Sequence, residues 1–382
     1  MSEILKNIKF NGVIKNKEDN RDYKIAQFIP RVDIVKDEEY CMALPSLDII
    51  LNQLSTGSCV AHSFAICLSI LIYQATGKWI DFSPYMIYGT RYKEDDYDGV
   101  GMYPRQAAKV LKREGAYLRR DFKLEGEMPE IARAVEQFKK DHPKLVKKAL
   151  DFTIDGYSMI IGNNQIKAAI KNGMPISATW DIYENFEDTK DDGYVQMPKG
   201  EYIGSHQMSI VGWTDKHWIV INSWGNDAGL KGMYLIPFGY MPENAIAITD
   251  KIMPIKNKAK NITLKIGSNY VMADGEEYQI DAPAVIKNNR TFVPARFVSE
   301  HLGASVEWVD ALKKVIIHSE ESDIELEIGS REYKYDDRVT WGDVAPYISN
   351  NRTLVPIRII AEHLNCDVFW NDEKQIVSIK AL

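Results

Sequence analysis

Cysteine is scarce in this chain. Its 382 residues hold four, Cys41, Cys59, Cys67 and Cys366, too few for a disulfide framework once one of them has a chemical task. A disulfide-stapled fold is excluded, and folding in a reducing cytoplasm is favoured, which leaves the site of action unassigned. An apolar leader is also missing. The opening stretch MSEILKNIKFNGVIKNKEDNRDYK scatters charges throughout and does not read as a secretory signal. Basic charge is not in excess either: a formal net charge of −7 and an isoelectric point near 5.6 argue against nucleic acid as the main partner. No stretch reads as a membrane span, because the longest apolar run, Val60 to Ala75, is interrupted by His62, Ser63 and Gln74. What remains is an ordinary soluble composition, 45% hydrophobic, long enough for two or three domains.

Chemistry concentrates in three short segments. Gln53 precedes Cys59 in Gly57-Ser58-Cys59-Val60-Ala61-His62, His206 stands in Gly204-Ser205-His206, and Asn222 opens Asn222-Ser223-Trp224-Gly225. Thiol acyl transfer needs an ionised sulfur. The apolar run after Cys59 predicts a buried helix, with Ser55 and Ser58 as residues of the capping type. Cys59 then lies in the first helical turn, where free N–H groups and the helix dipole favour an anion. His206 is the candidate base. Ile210–Trp213 and Trp218–Ile221 read as strands joined by a turn at 214–217, a hairpin that carries His206 at its start and Asn222 at its end. Asn222 would accept from one imidazole nitrogen while the other faces the sulfur, and Trp224 would shield that bond from water. Gln53 and the Cys59 backbone N–H are the candidate oxyanion donors. Cys67, His62, His142 and His217 read as structural.

This ordered set resembles the papain-like cysteine peptidases, over roughly Leu44 to Ile248. Further similarities are Ala43–Asp48, like the start of a mature domain, and Gly173–Ser177, like the opening of a β-rich second half. Asp98, Gly99, Val100 and Gly101 resemble the loop that pairs with substrate backbone. The resemblance implies a two-part α+β fold, helical then β-barrel-like, with Asp98, Gly99, Val100, Gly101 and Trp224 contacting substrate. It also implies a polypeptide substrate and neither metal nor organic cofactor. The chain departs from the family at Thr56, where a disulfide cysteine is usual, at Val60, at Ser205 and at Gln207; none removes a catalytic atom, but these departures could shift the working pH or narrow the cleft.

Beyond a polar, basic linker at 255–261 the sequence repeats itself with an offset of 62. Asn289-Arg290-Thr291-Phe292-Val293-Pro294 returns as Asn351-Arg352-Thr353-Leu354-Val355-Pro356, Glu300-His301-Leu302 as Glu362-His363-Leu364, and Trp308 as Trp370. A constant offset without gaps marks a duplication. The expected organisation is an N-terminal extension or short pro-segment (1–42), a catalytic domain (43–254), the linker, and a repeat domain (262–382, copies 262–318 and 324–380). Each copy predicts a helix after its proline, at Phe297–His301 and Ile359–His363, against which the Trp308 and Trp370 strands pack. The unit resembles the copper amine oxidase N-terminal-like stalk module of Gram-positive surface proteins. His301 and His363, one per copy, supply no converging copper ligands. The resemblance implies a non-catalytic module that tethers a peptidase of a Gram-positive bacterium or its phage to a cell wall or surface polymer. Wall-lytic, virion-borne peptidase and inactive binding protein are the alternatives. Part of residues 1–42 is expected either to cross the cleft or be trimmed, or equally to form a strand that pads the domain.

Overall fold

The run after Cys59 forms helix α1, Cys59–Thr76, in which every residue from Cys59 to Ile72 is buried. Phe64, Leu68, Ile70 and Leu71 are at most 2% exposed, each contributing about 1.5–3 kcal/mol by leaving water. The helix has the length and apolarity of a membrane span, yet 78% of that window is buried inside the protein. Its interior hydroxyls are satisfied. Ser63 Oγ meets Ser177 Oγ at 2.7 Å and Ser209 Oγ at 2.9 Å, and Ser69 Oγ donates to the Ala65 carbonyl. Gly77 closes the helix in the left-handed conformation, its N–H on the Tyr73 carbonyl.

The structure is a computed structural model describing residues 12–16, 39–45, 49–91, 99–249, 259–280, 282–309, 312–319, 323–335, 338–350 and 352–381. The chain divides into two compact units that part near residue 252. In the first, α1 is followed by α2 (Pro84–Gly89), α3 (Pro104–Arg113), α4 (Glu130–Asp141), α5 (Pro143–Ala149) and α6 (Asn163–Lys171). A seven-stranded sheet holds β1 (Tyr40–Cys41), β2 (Gly156–Ile160), β3 (Ile176–Tyr183), β4 (Tyr202–Trp213), β5 (His217–Ile221), β6 (Met233–Pro237) and β7 (Asn244–Thr249). Its order is β2-β7-β3-β4-β5-β6, with β1 on β4. Near Gly212 the β4–β5 register shifts, and the Val211 carbonyl accepts from Met42 N–H instead. A Cβ on Gly212 would lie 2.3 Å from the Tyr40 carbonyl oxygen, so this close approach of β1 requires glycine.

The second unit contains β8 (Asn261–Lys265), β9 (Tyr270–Ala273), β10 (Glu276–Gln279), β11 (Val285–Lys287), β12 (Arg290–Pro294), α7 (Ala295–His301), β13 (Ser305–Val309) and β14 (Lys314–His318). The second copy supplies β15 (Asp323–Glu327), β16 (Glu332–Tyr335), β17 (Arg338–Trp341), β18 (Tyr347–Ser349), β19 (Arg352–Pro356), α8 (Ile357–His363), β20 (Cys366–Asn371) and β21 (Ile376–Ala381). Both helices begin directly after their prolines, and β13 and β20 pack on them. The copies exchange strands. β14 pairs with β15, β21 pairs with β8, and β12 crosses β19 with Val293 opposite Val355. Because those valines are equivalent in the repeat, a local two-fold axis runs through the pair, and one hydrophobic core is built from both copies.

Candidate active site

Cys59 begins α1 and is fully buried. Ser58 stands at the N-cap but does not cap the helix with its side chain. Its hydroxyl meets Thr56 Oγ1 at 2.6 Å and His62 Nδ1 at 3.1 Å. His62 also lies 2.9 Å from the Ser58 carbonyl and edge-on to Tyr85, a structural histidine as expected. The backbone N–H groups of Gln207, Val60 and Cys59 itself all pull the Cys59 pKa down, as a helix start should. Burial outweighs them and pushes the thiol up to about 12, and the negative charge of Glu127 adds to the rise.

His206 sits inside β4 rather than at its start, opposite Trp180 on β3. Its Nε2 is 2.7 Å from Asn222 Oδ1, so Nδ1 is the nitrogen a proton transfer with the sulfur must use. Asn222 follows β5 directly, its own N–H bonded to the Gly232 carbonyl, and the indole of Trp224 stacks on the imidazole at 4.9 Å and 27°. Burial lowers the His206 pKa to about 4 against the raising effect of Asn222. Burial thus disfavours the charged form of both the thiol and the imidazole. Gln53 is fully buried; Ser223 Oγ donates to its Oε1 at 2.6 Å, and its Nε2 donates to the Thr56 carbonyl at 2.8 Å. An amide nitrogen carries two protons, and Thr56 takes one.

The Gln207 side chain is engaged between strands. Its amide oxygen accepts from Thr179 Oγ1 and its Nε2 donates to Ser177 Oγ at 2.8 Å, so the side chain fastens β4 to β3. Ser205 Oγ donates to Asp181 Oδ1 at 2.7 Å. Of the expected substrate loop, Asp98 lies outside the described residues. The Gly99 and Gly101 carbonyls are held by Arg91 Nη2 at 3.3 and 2.8 Å. Backbone pairing is made one residue further on, by Met102.

The partner in that pairing is the chain's own N-terminal segment. Met102 N–H donates to the Gly12 carbonyl at 3.0 Å and Ile14 N–H to the Met102 carbonyl at 3.1 Å, a parallel bridge centred on Val13. A Cβ on Gly12 would lie 2.5 Å from Cys59 Sγ and 2.9 Å from the Gly57 carbonyl oxygen. Residue 12 is thus packed against the Cys59 thiol, and only glycine fits there.

A carboxylate unmarked by any motif joins the two walls. Glu127 Oε2 accepts from Gly57 N–H at 2.6 Å, while Oε1 accepts from Met128 N–H and from the Tyr88 hydroxyl, which itself accepts from Gly101 N–H at 3.1 Å. The loop before Cys59, which has Thr56 where the family has a cysteine, is tied to the loop at Gly101 through hydrogen bonds. In the second unit His301 Nδ1 lies 2.9 Å from the Phe297 carbonyl and the ring stacks on Phe297; His363 packs edge-on to Tyr335. Among the described residues no group of three or more potential ligands is placed to hold a metal ion. These histidines do not fit the copper that the module's name suggests.

Comparison with known proteins follows these divisions. The papain family cysteine protease profile matches residues 42–253, and the copper amine oxidase N-terminal domain profile matches 247–317 and 299–379. An uncharacterized peptidase C1-like protein of Acanthamoeba polyphaga mimivirus is 27% identical over 68% of this chain and 96% of its own length. A gut-specific cysteine proteinase of Caenorhabditis elegans is 32% identical over 22% of this chain and 27% of its own. Xylellain, a cysteine protease from Xylella fastidiosa, shares the fold with a TM-score of 0.52 at 21% identity, over 63% of this chain and 96% of that one. The first unit, with its α+β architecture, Cys59 at a helix start, His206 on β4 and Asn222 just after β5, is a peptidase hydrolase, and the chain belongs to the papain family of cysteine proteases, followed by two copper amine oxidase N-terminal-like domains.

Proposed function

We propose that the protein is a latent endopeptidase that hydrolyses peptide bonds through Cys59, His206 and Asn222. The observation that carries this reading is the His206 Nε2–Asn222 Oδ1 bond of 2.7 Å under the Trp224 indole. It fixes the ring so that Nδ1 exchanges the proton. In acylation His206 takes the thiol proton, sulfur bonds to the carbonyl carbon, and the C–N bond breaks as His206 protonates the leaving amine. In deacylation His206 takes a proton from water, hydroxide attacks the thioester, and the C–S bond breaks to restore the thiol. Cys59 N–H and the second Gln53 Nε2 proton serve the oxyanion.

Latency follows from Gly12 and burial. Burial works against charge on the Cys59 thiol and on the His206 imidazole, and departure of Gly12 from Cys59 Sγ opens the thiol to water. The tail is the non-catalytic tether. Its edge strands β17 and β20 expose Trp341 at 69% and Trp370 at 41%, faces suited to stacking on a cell-wall or surface polymer. The test is digestion of an unfolded protein by the full chain and by Gly12→Val, with fragments mapped by mass. Internal cuts made by Gly12→Val and abolished by Cys59→Ala are expected. Terminal trimming alone, or cutting that survives Cys59→Ala, would overturn the reading.

A further inference from the structure

We propose that Asp181 and Glu243 form an acidic subsite of the cleft that selects a lysine or arginine side chain of the substrate, occupied in the resting protein by Lys15. The proposal rests on the peptidase reading and names its substrate class. Residues 12–16 lie where an extended peptide would lie, since Gly12 abuts Cys59 Sγ and Met102 hydrogen-bonds across Val13. From this position Lys15 carries its ammonium to Asp181 Oδ2 at 2.7 Å and to within 3.9 Å of Glu243. The segment therefore acts as a resident ligand and reports which side chain the wall accepts.

Asp181 is oriented before any cation arrives. It stands on β3 opposite Ser205, one register step from the Trp180–His206 pair. Ser205 Oγ holds its Oδ1 at 2.7 Å, the Tyr202 hydroxyl lies 3.0 Å from that Ser205 oxygen, and the Asp181 backbone carbonyl accepts from Tyr240. Oδ2 remains directed at Lys15. The Asp181 side chain is 19% exposed, so its charge is partly desolvated, and removing its counter-cation is costly. A substrate ammonium or guanidinium restores the pair, whereas a neutral side chain leaves the carboxylate uncompensated; that difference is the selectivity. Lys15 behaves as an occupant. Partial burial lowers its pKa, but the hydrogen bond to Asp181 and the charges of Asp181 and Glu243 outweigh this and raise it.

The test uses the full chain carrying Gly12→Val and Cys59→Ala, with Lys15→Gln and Cys59→Ala as a second opened background. The probe is a labelled peptide of the segment sequence, Phe10 to Glu18, against its analogue with norleucine in place of Lys15. At least about ten-fold tighter binding of the lysine peptide is expected, corresponding to about 1.4 kcal/mol. Asp181→Asn should remove the difference, and Glu243→Gln should reduce it. Equal binding, binding to neither background, or an unchanged preference in Asp181→Asn would overturn the proposal. Because this readout needs no turnover, it is independent of the peptidase reading. A second arm restores Cys59 and profiles cleavage of a positional peptide library. One position enriched in Lys and Arg, with the Asp181→Asn loss carried in KM rather than kcat, is expected. Thiol-dependent cleavage without basic preference overturns the subsite alone, while absence of thiol-dependent cleavage overturns the peptidase reading.

Discussion

His206 in the catalytic unit and His301 in the repeat unit are close counterparts by several physical measures. Both are at most 1% exposed, both stack on an aromatic ring at similar tilt, and burial lowers both to about 4. Their polar partners separate them. His206 faces a side-chain amide from a neighbouring segment, whereas the Nδ1 of His301 faces the Phe297 carbonyl of its own helix. Burial and a depressed pKa therefore mark an enclosed imidazole, not a base. What distinguishes His206 is a partner from a second element, Asn222, that fixes the ring, the arrangement a base requires.

The sharpest way to break that comparison is to delete both rings. His206→Ala should lower kcat by about 10³-fold or more, as Cys59→Ala should, with the fold retained by circular dichroism. His301→Ala should leave activity within about two-fold and destabilise the tail by about 2–4 kcal/mol through the cavity it opens, read by denaturant unfolding. Equal activity losses would erase the distinction. Next in size is the carboxylate bridge. Glu127→Gln and Tyr88→Phe, assayed in the Gly12→Val background, should each lower kcat/KM by about ten-fold, the scale of a hydrogen bond to a charged group. The double variant should fall by less than the product of the two, because both break one connection.

A separate effect, on stability and not on turnover, applies to both units alike. His62, His206 and His301 each have a folded pKa near 4 against 6.5 for the free side chain. Each lowered pKa contributes stability that is fully present above pH 6.5 and lost as pH falls towards 4, because the unfolded chain takes up the proton first. The loss is at most about 3 kcal/mol per residue. Hydrogen exchange of α1 and α7 should accelerate together across that window; acceleration confined to one unit would show that the two burials differ.

The parts of this account legible in the sequence are those carried by composition or chemical type. Helix α1 was readable because sixteen residues after Cys59 lack charge, glycine and proline, and burial demands such a run. Asn222 was readable because only a few residue types can orient an imidazole. Periodicity gave the repeat, but an offset of 62 says nothing about which copy a strand pairs with, so the β14–β15 and β21–β8 exchange was not readable. Glu127 was hidden for a different reason: a lone carboxylate in a polar loop has no local signature, and its partners Gly57 and Tyr88 are remote in sequence. Gly12 was equally silent, since what matters is the absence of a side chain against Cys59 Sγ. Met102 took the pairing expected of the preceding glycines because the Gly99 and Gly101 carbonyls are engaged by Arg91 and the Gly101 N–H by Tyr88.

Closure of the proposed cysteine-peptidase site by the chain's own Gly12 makes the reactivity of the Cys59 thiol decisive. The direct measurement is intact-mass analysis of labelling by an epoxysuccinyl thiol-protease probe at neutral pH, on the full chain, on Gly12→Val and on Gly12→Val with Cys59→Ala. Slow labelling of the natural chain, about 10²-fold or more faster single labelling of Gly12→Val, and none once Cys59 is removed are expected. Equal rates for the natural chain and Gly12→Val, or labelling that persists without Cys59, would contradict that expectation.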